Sequence, residues 1–196
     1  MAVTDVADGR TQRRLRNEER AVDAFLELLA EGNDRPTAQQ VAERSGVSIR
    51  SIFRLFDDVD TLHAAAATRQ GERVAHLQQP IGPDGPVNKR IDAVVATLAA
   101  VYEAIGPVRR VAVRTAHRAP AIARGLDRHR RLTRTQTRAT FAPELSALPA
   151  RDRIVVAEAI EAATSWETWD GLRSGRGLSP TAATRVMRRL LAGLVA

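Results

Sequence analysis

The chain contains no cysteine, and only 4% of its 196 residues are aromatic. Without cysteine, neither a disulfide framework nor a thiolate metal site can form. The scarcity of aromatic residues, together with an abundance of Ala, Val and Leu, favours packed helices over β-sandwiches. No segment shows the sustained period-two alternation of a half-buried strand. The sequence therefore predicts an all-α protein.

The sequence also lacks the pattern of a targeting signal or of a membrane-spanning segment. Residues 1–9 carry Asp5 and Asp8 and have no apolar stretch, which distinguishes them from a signal peptide. The longest apolar run, 93–102, is interrupted by Thr97 and is too short to cross a bilayer. We therefore expect a cytoplasmic protein with no membrane partner.

Positive charge is in excess, with a formal net charge of +7, and the only lysine is Lys89. Nearly all of this charge is therefore arginine, whose planar fork suits phosphate and guanine recognition. A biased genome composition would produce the same excess on ordinary solvated faces. The charge is compatible with a nucleic-acid partner without assigning one.

Apolar periodicity predicts about nine helices. The clearest break between them is the loop 80–86, which is rich in proline and glycine. Asp57 or Asp58 is predicted to cap the fourth helix. The predicted helices cover about 13–30, 38–44, 48–56, 57–79, 87–105, 108–117, 120–140, 152–173 and 180–195.

The segment Thr37–Phe56 has the features of a helix-turn-helix. Thr37 and Ser48 are suited to cap its two helices, and Gly46 can adopt the positive φ of a sharp turn between them. Ala42 is small enough to let the helices cross closely. Three residues are spaced to form a miniature core: Val41, Val47 and Ile52. A helical hairpin without any DNA-binding role would show the same spacing.

The sequence around this segment resembles the TetR family of repressors over about Arg13–Leu62. The resemblance rests on an internal Phe25 in the first helix, on the block PTAQQVAERSGVS, and on SIFRLF followed by DDVDTL. It implies a DNA-binding helix-turn-helix domain over 10–60, and a helical bundle over 61–196 that dimerises and binds a small-molecule inducer. The implied function is a repressor released from an inverted-repeat operator, not an enzyme.

In a helix-turn-helix, the start of the second helix faces the bases of the major groove. The residues predicted to contact double-stranded DNA are Thr37, Ser48, Ile49, Arg50, Ser51, Phe53 and Arg54. Three residues depart from the family pattern, in which Tyr usually replaces Phe53, Tyr or His replaces Leu55, and Lys replaces Val59. Each departure removes an expected polar contact to DNA.

Charge near the same segment acts in both directions. Three acidic residues after the recognition helix favour the dipole of the next helix but repel a phosphate backbone: Asp57, Asp58 and Asp60. Several arginines could compensate electrostatically, namely Arg50, Arg54 and an N-terminal arm of Arg10, Arg13, Arg14 and Arg16. The sequence therefore leaves the affinity for DNA open.

The implied inducer site is assigned to the scarce large side chains of the bundle: Tyr102, His117, Trp166 and Trp169. Trp166 and Trp169 share a helix face, and packing in the core or in a dimer interface explains them better than a ligand-binding role does. The histidines are scattered, so we expect no metal site and no cofactor.

Two further patterns keep alternatives open. The arginines between Arg124 and Arg138 fit a solvated face, a second nucleic-acid surface or an acidic-ligand site. Apolar stripes on the last two predicted helices fit either a homodimer interface or an intramolecular core. These stripes contain Ile154, Ala157, Ile160 and Ala162 on one helix, and Val186, Leu190, Leu191 and Leu194 on the other.

Three rival functions compete with the ligand-responsive repressor. An enzyme is disfavoured because no nucleophile elbow, phosphate-binding glycine loop or paired carboxylates are present. A membrane-surface binder is disfavoured because the arginine-rich helices lack an aromatic insertion face. The remaining alternative is a helix-turn-helix DNA-binding protein that senses no small molecule.

Overall fold

Helices make up the regular structure of residues 4–195, the part described by the computed structural model, with side chains described from residue 9. This range contains ten α-helices and no strand, so the all-α prediction is confirmed. A 3-10 turn covers Ala75–Leu77 and a π-helical segment covers Gly171–Gly175. The helices are α1 (Thr4–Ala30), α2 (Ala38–Ser45), α3 (Ile49–Leu55), α4 (Val59–Val74), α5 (Val87–Thr115), α6 (Pro120–Thr140), α7 (Ala142–Ala147), α8 (Ala150–Ala163), α9 (Trp166–Asp170) and α10 (Pro180–Val195).

The chain divides into two units, each with its own apolar core. The N-terminal unit comprises 4–73 and 107–126, and the C-terminal unit comprises 74–106 and 127–195. In the N-terminal unit, α1, α2 and α3 contact one another around a core that includes Phe25, Val41, Ile52 and Leu62. The core of the C-terminal unit includes Ile91, Tyr102, Phe141, Ile160, Trp169 and Met187.

Helix α5 differs most from the predicted helix boundaries. The sequence predicts a break at Gly106-Pro107, because this pair ends many helices. The helix instead runs through from Val87–Thr115 with Pro107 inside it. Proline removes a single backbone donor, while Ile105 and Val108 on either side are both buried. Burial of the continuing apolar stripe therefore outweighs the loss of one hydrogen bond.

The other differences in helix boundaries arise from local helix caps, which apolar periodicity alone does not reveal. The predicted helix 152–173 is broken, because the Ser165 hydroxyl accepts a hydrogen bond from the Thr168 backbone N–H at 3.1 Å and starts α9. Helix α7 was not predicted, although Pro143 and Glu144 in its first turn are typical of a helix start. Two predicted helices, 87–105 and 108–117, form the single helix α5, whereas α7 is additional and 152–173 contains both α8 and α9. The nine predicted helices therefore become ten within residues 4–195.

Helix α5 also extends beyond both ends of the apolar run 93–102. Within the described residues it is the one helix long and apolar enough to span a membrane, by length and composition alone. Half of its most apolar window is buried inside the protein, and a core helix passes the same test. The helix therefore does not by itself indicate a membrane span.

Candidate nucleic-acid interface

The turn between α2 and α3 has the geometry that the sequence predicted. Gly46 has a φ of +65°, and its backbone N–H donates to the carbonyl of Ala42 at 2.9 Å, which ends α2. The Ser45 hydroxyl then accepts the backbone N–H of Val47 at 3.1 Å. A residue with a Cβ is strained at this φ, so glycine makes the sharp turn possible.

Both helices of the motif begin at side-chain caps. The Thr37 hydroxyl accepts the backbone N–H of Gln40 at 3.2 Å, and the Gln40 side chain accepts the backbone N–H of Thr37 at 2.9 Å. The Ser48 hydroxyl accepts the backbone N–H of Ser51 at 3.3 Å. Thr37 and Ser48 are therefore helix caps, and both remain on the surface.

A small core fixes α3 against the rest of the motif. Val41, Val47 and Ile52 are at most 4% exposed and belong to one apolar cluster. The predicted miniature core is confirmed. Because Ile52 points into this core, the opposite face of α3 must point outward.

The outward face of α3 carries four of the predicted DNA-contacting residues. Ile49 is 40% exposed and Phe53 is 54% exposed, and Arg50 and Arg54 are exposed beside them. Ser51 is half-buried. Among the described side chains, no carboxylate forms an ion pair with Arg50 or Arg54. Their charge is available to an external partner.

Other arginines of the N-terminal unit are engaged within the chain. The Arg44 guanidinium donates to both carboxylate oxygens of Glu31 at 2.8 Å, and this contact holds the pKa of Glu31 below its usual value. The Arg73 guanidinium donates to Asp23 at 2.6 Å. Arg44 and Arg73 thus have acidic partners within the described part of the chain, unlike Arg50 and Arg54.

The predicted N-terminal arm is the first part of α1. No described side chain of α1 before Ala21 is buried, so this part extends beyond the apolar core. Arg10, Arg13 and Arg14 are exposed, and their spacing places them on one side of the helix. They form a second exposed cationic surface in the N-terminal unit.

The departures from the family pattern lie mostly away from the outward face of α3. Leu55 and Val59 are half-buried and pack against the core of the N-terminal unit. The Asp58 carboxylate caps α4 by accepting the backbone N–H of Thr61 at 2.6 Å, which lowers the pKa of Asp58. The Arg118 guanidinium donates to Asp60 at 3.3 Å. Of the three nearby acidic residues, Asp58 and Asp60 thus have partners within the chain.

Three of the four predicted ligand-binding residues form an aromatic cluster in the C-terminal unit. The rings of Tyr102 and Trp166 meet edge to face, with centroids 5.6 Å apart, and Trp169 lies 6.4 Å from Tyr102. All three side chains are at most 4% exposed. His129, which the sequence analysis did not assign to this site, lies 6.3 Å from Tyr102.

Polar atoms of the aromatic cluster have partners within the chain. The Tyr102 hydroxyl donates to the carbonyl of Thr164 at 2.7 Å. The Trp169 indole N–H donates to Glu103 at 3.1 Å, and Arg173 donates to both carboxylate oxygens of Glu103 at 2.8 and 3.0 Å. The cluster is therefore a hydrogen-bonded aromatic core.

The fourth predicted ligand-binding residue, His117, belongs to the N-terminal unit. It is exposed and lines a cleft of about 340 Å³ that also contacts Phe25 and His63. The His63 ring is buried 5.7 Å from Phe25, and its Nε2 lies 3.2 Å from the carbonyl of Val108. Burial lowers the pKa of His63, which favours the neutral ring.

The arginine-rich helix α6 is largely neutralised by acidic side chains. Arg134 and Arg138 each donate to Glu158 at 2.6 Å, and Arg134 also lies 2.9 Å from Glu161. These pairs give several of the arginines a structural role. They weaken the alternatives of a second nucleic-acid surface and an acidic-ligand site.

The last two predicted helices, now α8 and α10, bury only part of their apolar stripes. Ala157, Ile160 and Leu191 are buried in the core of the C-terminal unit. Ile154 remains 69% exposed and Leu190 remains 44% exposed. Val155, outside the predicted stripe, is 67% exposed.

Comparison with known proteins identifies the fold. No family model matches the sequence, and no curated protein is significantly similar to it. A transcriptional regulator from Rhodococcus sp. RHA1 is similar in structure, with a TM-score of 0.64 and 18% identity, covering 90% of this chain and 95% of that one. A transcriptional regulator from Mesorhizobium loti, assigned to the TetR family, has a TM-score of 0.64 and 14% identity, covering 93% and 96%. The chain thus has the TetR-like fold, as the resemblance predicted.

Proposed function

We propose that this protein is a DNA-binding transcriptional regulator that places α3 in the major groove. The observation that carries the proposal is the exposed pair Arg50 and Arg54, on a helix fixed by the buried Ile52. Neither arginine has an acidic partner among the described side chains. Arginine at the start of a recognition helix can donate two hydrogen bonds to guanine, and one turn later it can reach phosphate. The structurally similar proteins, both described as transcriptional regulators, support the same role.

The exposed arginines of α1 support binding to a polyanion. Arg10, Arg13 and Arg14 belong to the same unit as α3 and lie on one side of their helix. Each phosphate neutralised by such a residue releases a condensed counterion, which makes binding stronger at low salt. We infer that this cationic surface supplies affinity while α3 supplies sequence preference.

We further propose that the protein is a homodimer that represses transcription from an inverted-repeat operator. Ile154 and Val155 on α8 are about two-thirds exposed, and Leu190 on α10 is 44% exposed. Large apolar side chains that stay exposed together on neighbouring helices are suited to a self-complementary interface. A two-fold dimer would place its recognition helices on half-sites about 34–36 Å apart.

The inducer site is proposed for the aromatic cluster of Tyr102, Trp166 and Trp169. A ligand that separates these rings would change how the core of the C-terminal unit packs. Such a ligand must weaken DNA binding by the same factor by which DNA weakens ligand binding. A compound that changes tryptophan emission without changing DNA affinity would instead favour a regulator that senses no small molecule.

Selection of bound fragments from random DNA with the purified protein tests the proposed function. We expect enrichment of one inverted repeat, with binding that weakens steeply as the salt concentration rises. Recovery of fragments without a shared sequence would contradict sequence-specific regulation. The variant Arg50→Ala, assayed on the enriched fragment, then connects the result to α3 rather than to the general charge of the protein.

A further inference from the structure

The outward face of α3 is divided into two stripes of opposite character. Ile49 and Phe53 are four residues apart and therefore lie one above the other on the same side of the helix. Arg50 and Arg54 repeat the same spacing one residue later. The recognition helix thus presents an apolar stripe, 40% and 54% exposed, directly beside a cationic stripe.

The apolar stripe is not part of the apolar core of the N-terminal unit. Ile52 is the buried residue of α3, at 2% exposure, whereas Phe53 leaves most of an aromatic ring in solvent. Phenylalanine has no hydrogen-bonding group, so this ring cannot make the polar contact that a tyrosine would make. An exposed apolar stripe flanked by unpaired arginines fits a partner that is itself anionic and carries apolar groups.

We propose that Ile49 and Phe53 read the C5-methyl groups of thymines, so that this stripe determines part of the operator sequence. The inference rests on the proposed DNA-binding function. Thymine alone among the four bases presents a methyl group in the major groove, and apolar side chains recognise it by contact. The polyanionic backbone of the same duplex satisfies the neighbouring arginines.

The spacing of the stripe sets the spacing of the thymines. Residues four apart on a helix are separated by about 6 Å along its axis. Successive base pairs in one strand rise by about 3.4 Å. Two thymines about two base pairs apart in each half-site, next to the base contacted by Arg50, therefore match Ile49 and Phe53.

Replacement of single thymines by deoxyuridine in the selected duplex tests this assignment, because it removes only the methyl group. One buried methyl group contributes about 0.8 kcal/mol, which corresponds to about a fourfold change in Kd. The wild-type protein should bind about fourfold more weakly when either contacted thymine is replaced. Phe53→Ala and Ile49→Ala should each abolish this difference at one of the two positions and keep it at the other.

Matched variants separate methyl recognition from other effects. Phe53→Leu should retain sensitivity to the methyl group, since leucine is also apolar. Val113→Ala truncates another exposed apolar side chain of the N-terminal unit, 47% exposed, and should leave the sensitivity unchanged. Arg54→Ala should weaken binding to the thymine and deoxyuridine duplexes by equal factors.

The outcomes distinguish failure of this inference from failure of the proposed function. Tight sequence-specific binding that is indifferent to deoxyuridine at every position overturns methyl recognition and leaves the proposed function intact. Sensitivity that persists in both alanine variants also overturns the assignment, because another residue must then contact the methyl groups. If the protein selects no DNA sequence at all, the proposed function itself fails, and the inference fails with it.

Discussion

The guanidinium of Arg20 lies directly over the turn at Gly46. A Cβ built at Gly46 would stand 2.9 Å from Nη2 of Arg20. A side chain of α1 therefore reaches across to the turn between α2 and α3. The positive φ, rather than this close approach, limits what position 46 can accept, because the end of the Arg20 side chain can move.

Substitution of the turn glycine should destabilise the fold. Gly46→Ala forces a left-handed conformation on an L-residue, which costs about 1–2 kcal/mol. The contact with Arg20 adds little, because the end of that side chain can move. Urea denaturation measures the change. Gly71→Ala is the matched control: Gly71 lies inside α4 with nothing within 4 Å of an added Cβ, so alanine should stabilise it by up to about 1 kcal/mol.

Replacement of each of the two arginines of α3 by alanine should change DNA binding in a different way. Arg50→Ala should relax preference at one base pair by about 1–3 kcal/mol, because a base-edge contact is lost. Arg54→Ala should weaken specific and random duplexes alike and reduce the salt slope by about one unit. Titrations at several salt concentrations distinguish the two effects. Arg151→Ala, which removes an 87% exposed arginine of the C-terminal unit, serves as a control. Equal effects of Arg50→Ala on specific and random DNA would show that Arg50 does not read a base.

The cap at Asp58 should make stability depend on acid pH. Its folded pKa lies below the ordinary value of 3.8 because the backbone N–H of Thr61 binds the charged form. The stabilisation is therefore complete above the unfolded pKa and is lost as the pH falls through the lower folded value. Asp58→Asn keeps a capping oxygen but cannot titrate, so part of the acid dependence should disappear. An unchanged stability profile between the wild type and Asp58→Asn would contradict this role.

Among the arginines of the C-terminal unit, Arg90 should be the one whose replacement lowers the free energy of unfolding most. Its side chain is only 7% exposed, and it donates to Glu144, to the carbonyl of Thr140 at 2.6 Å and to that of Gly85 at 3.2 Å. Arg90→Met removes the donor from the buried Thr140 carbonyl and from the partly buried Glu144 carboxylate, and should cost about 3–5 kcal/mol in urea denaturation. Arg188→Met removes a half-exposed pair with Asp92 and should cost about 0–1 kcal/mol. Similar losses in both variants would contradict the importance of burial.

The proposed dimer should depend on the exposed apolar residues of α8. Ile154→Asp introduces a charge into the proposed interface, and sedimentation should then show a shift toward monomer. Val113→Asp changes an exposed apolar residue of the N-terminal unit and should leave the dimer intact. Persistence of the dimer in Ile154→Asp would assign the interface to another surface.

The accuracy of sequence-based prediction follows the range of the interactions involved. The Thr37 cap, the Gly46 turn and the small core around Ile52 depend on residues close in sequence, and the structure confirms each of them. The hydrogen bond from Trp169 to Glu103 joins positions 66 residues apart, so no local pattern could predict it. The continuation of α5 through Pro107 likewise depends on burial that only the folded unit supplies.

Both tryptophans of the chain lie in the C-terminal unit. The ring centroid of Tyr102 lies 5.6 Å from that of Trp166 and 6.4 Å from that of Trp169. The N-terminal unit, which carries α3, contains none. Tryptophan emission therefore reports on the core of the C-terminal unit, in which both indoles are buried. A change in that emission when DNA is added would report a rearrangement around these two side chains. The unlabelled protein thus contains its own optical reporter of the unit proposed to sense a ligand, and that reporter is absent from the unit proposed to read DNA.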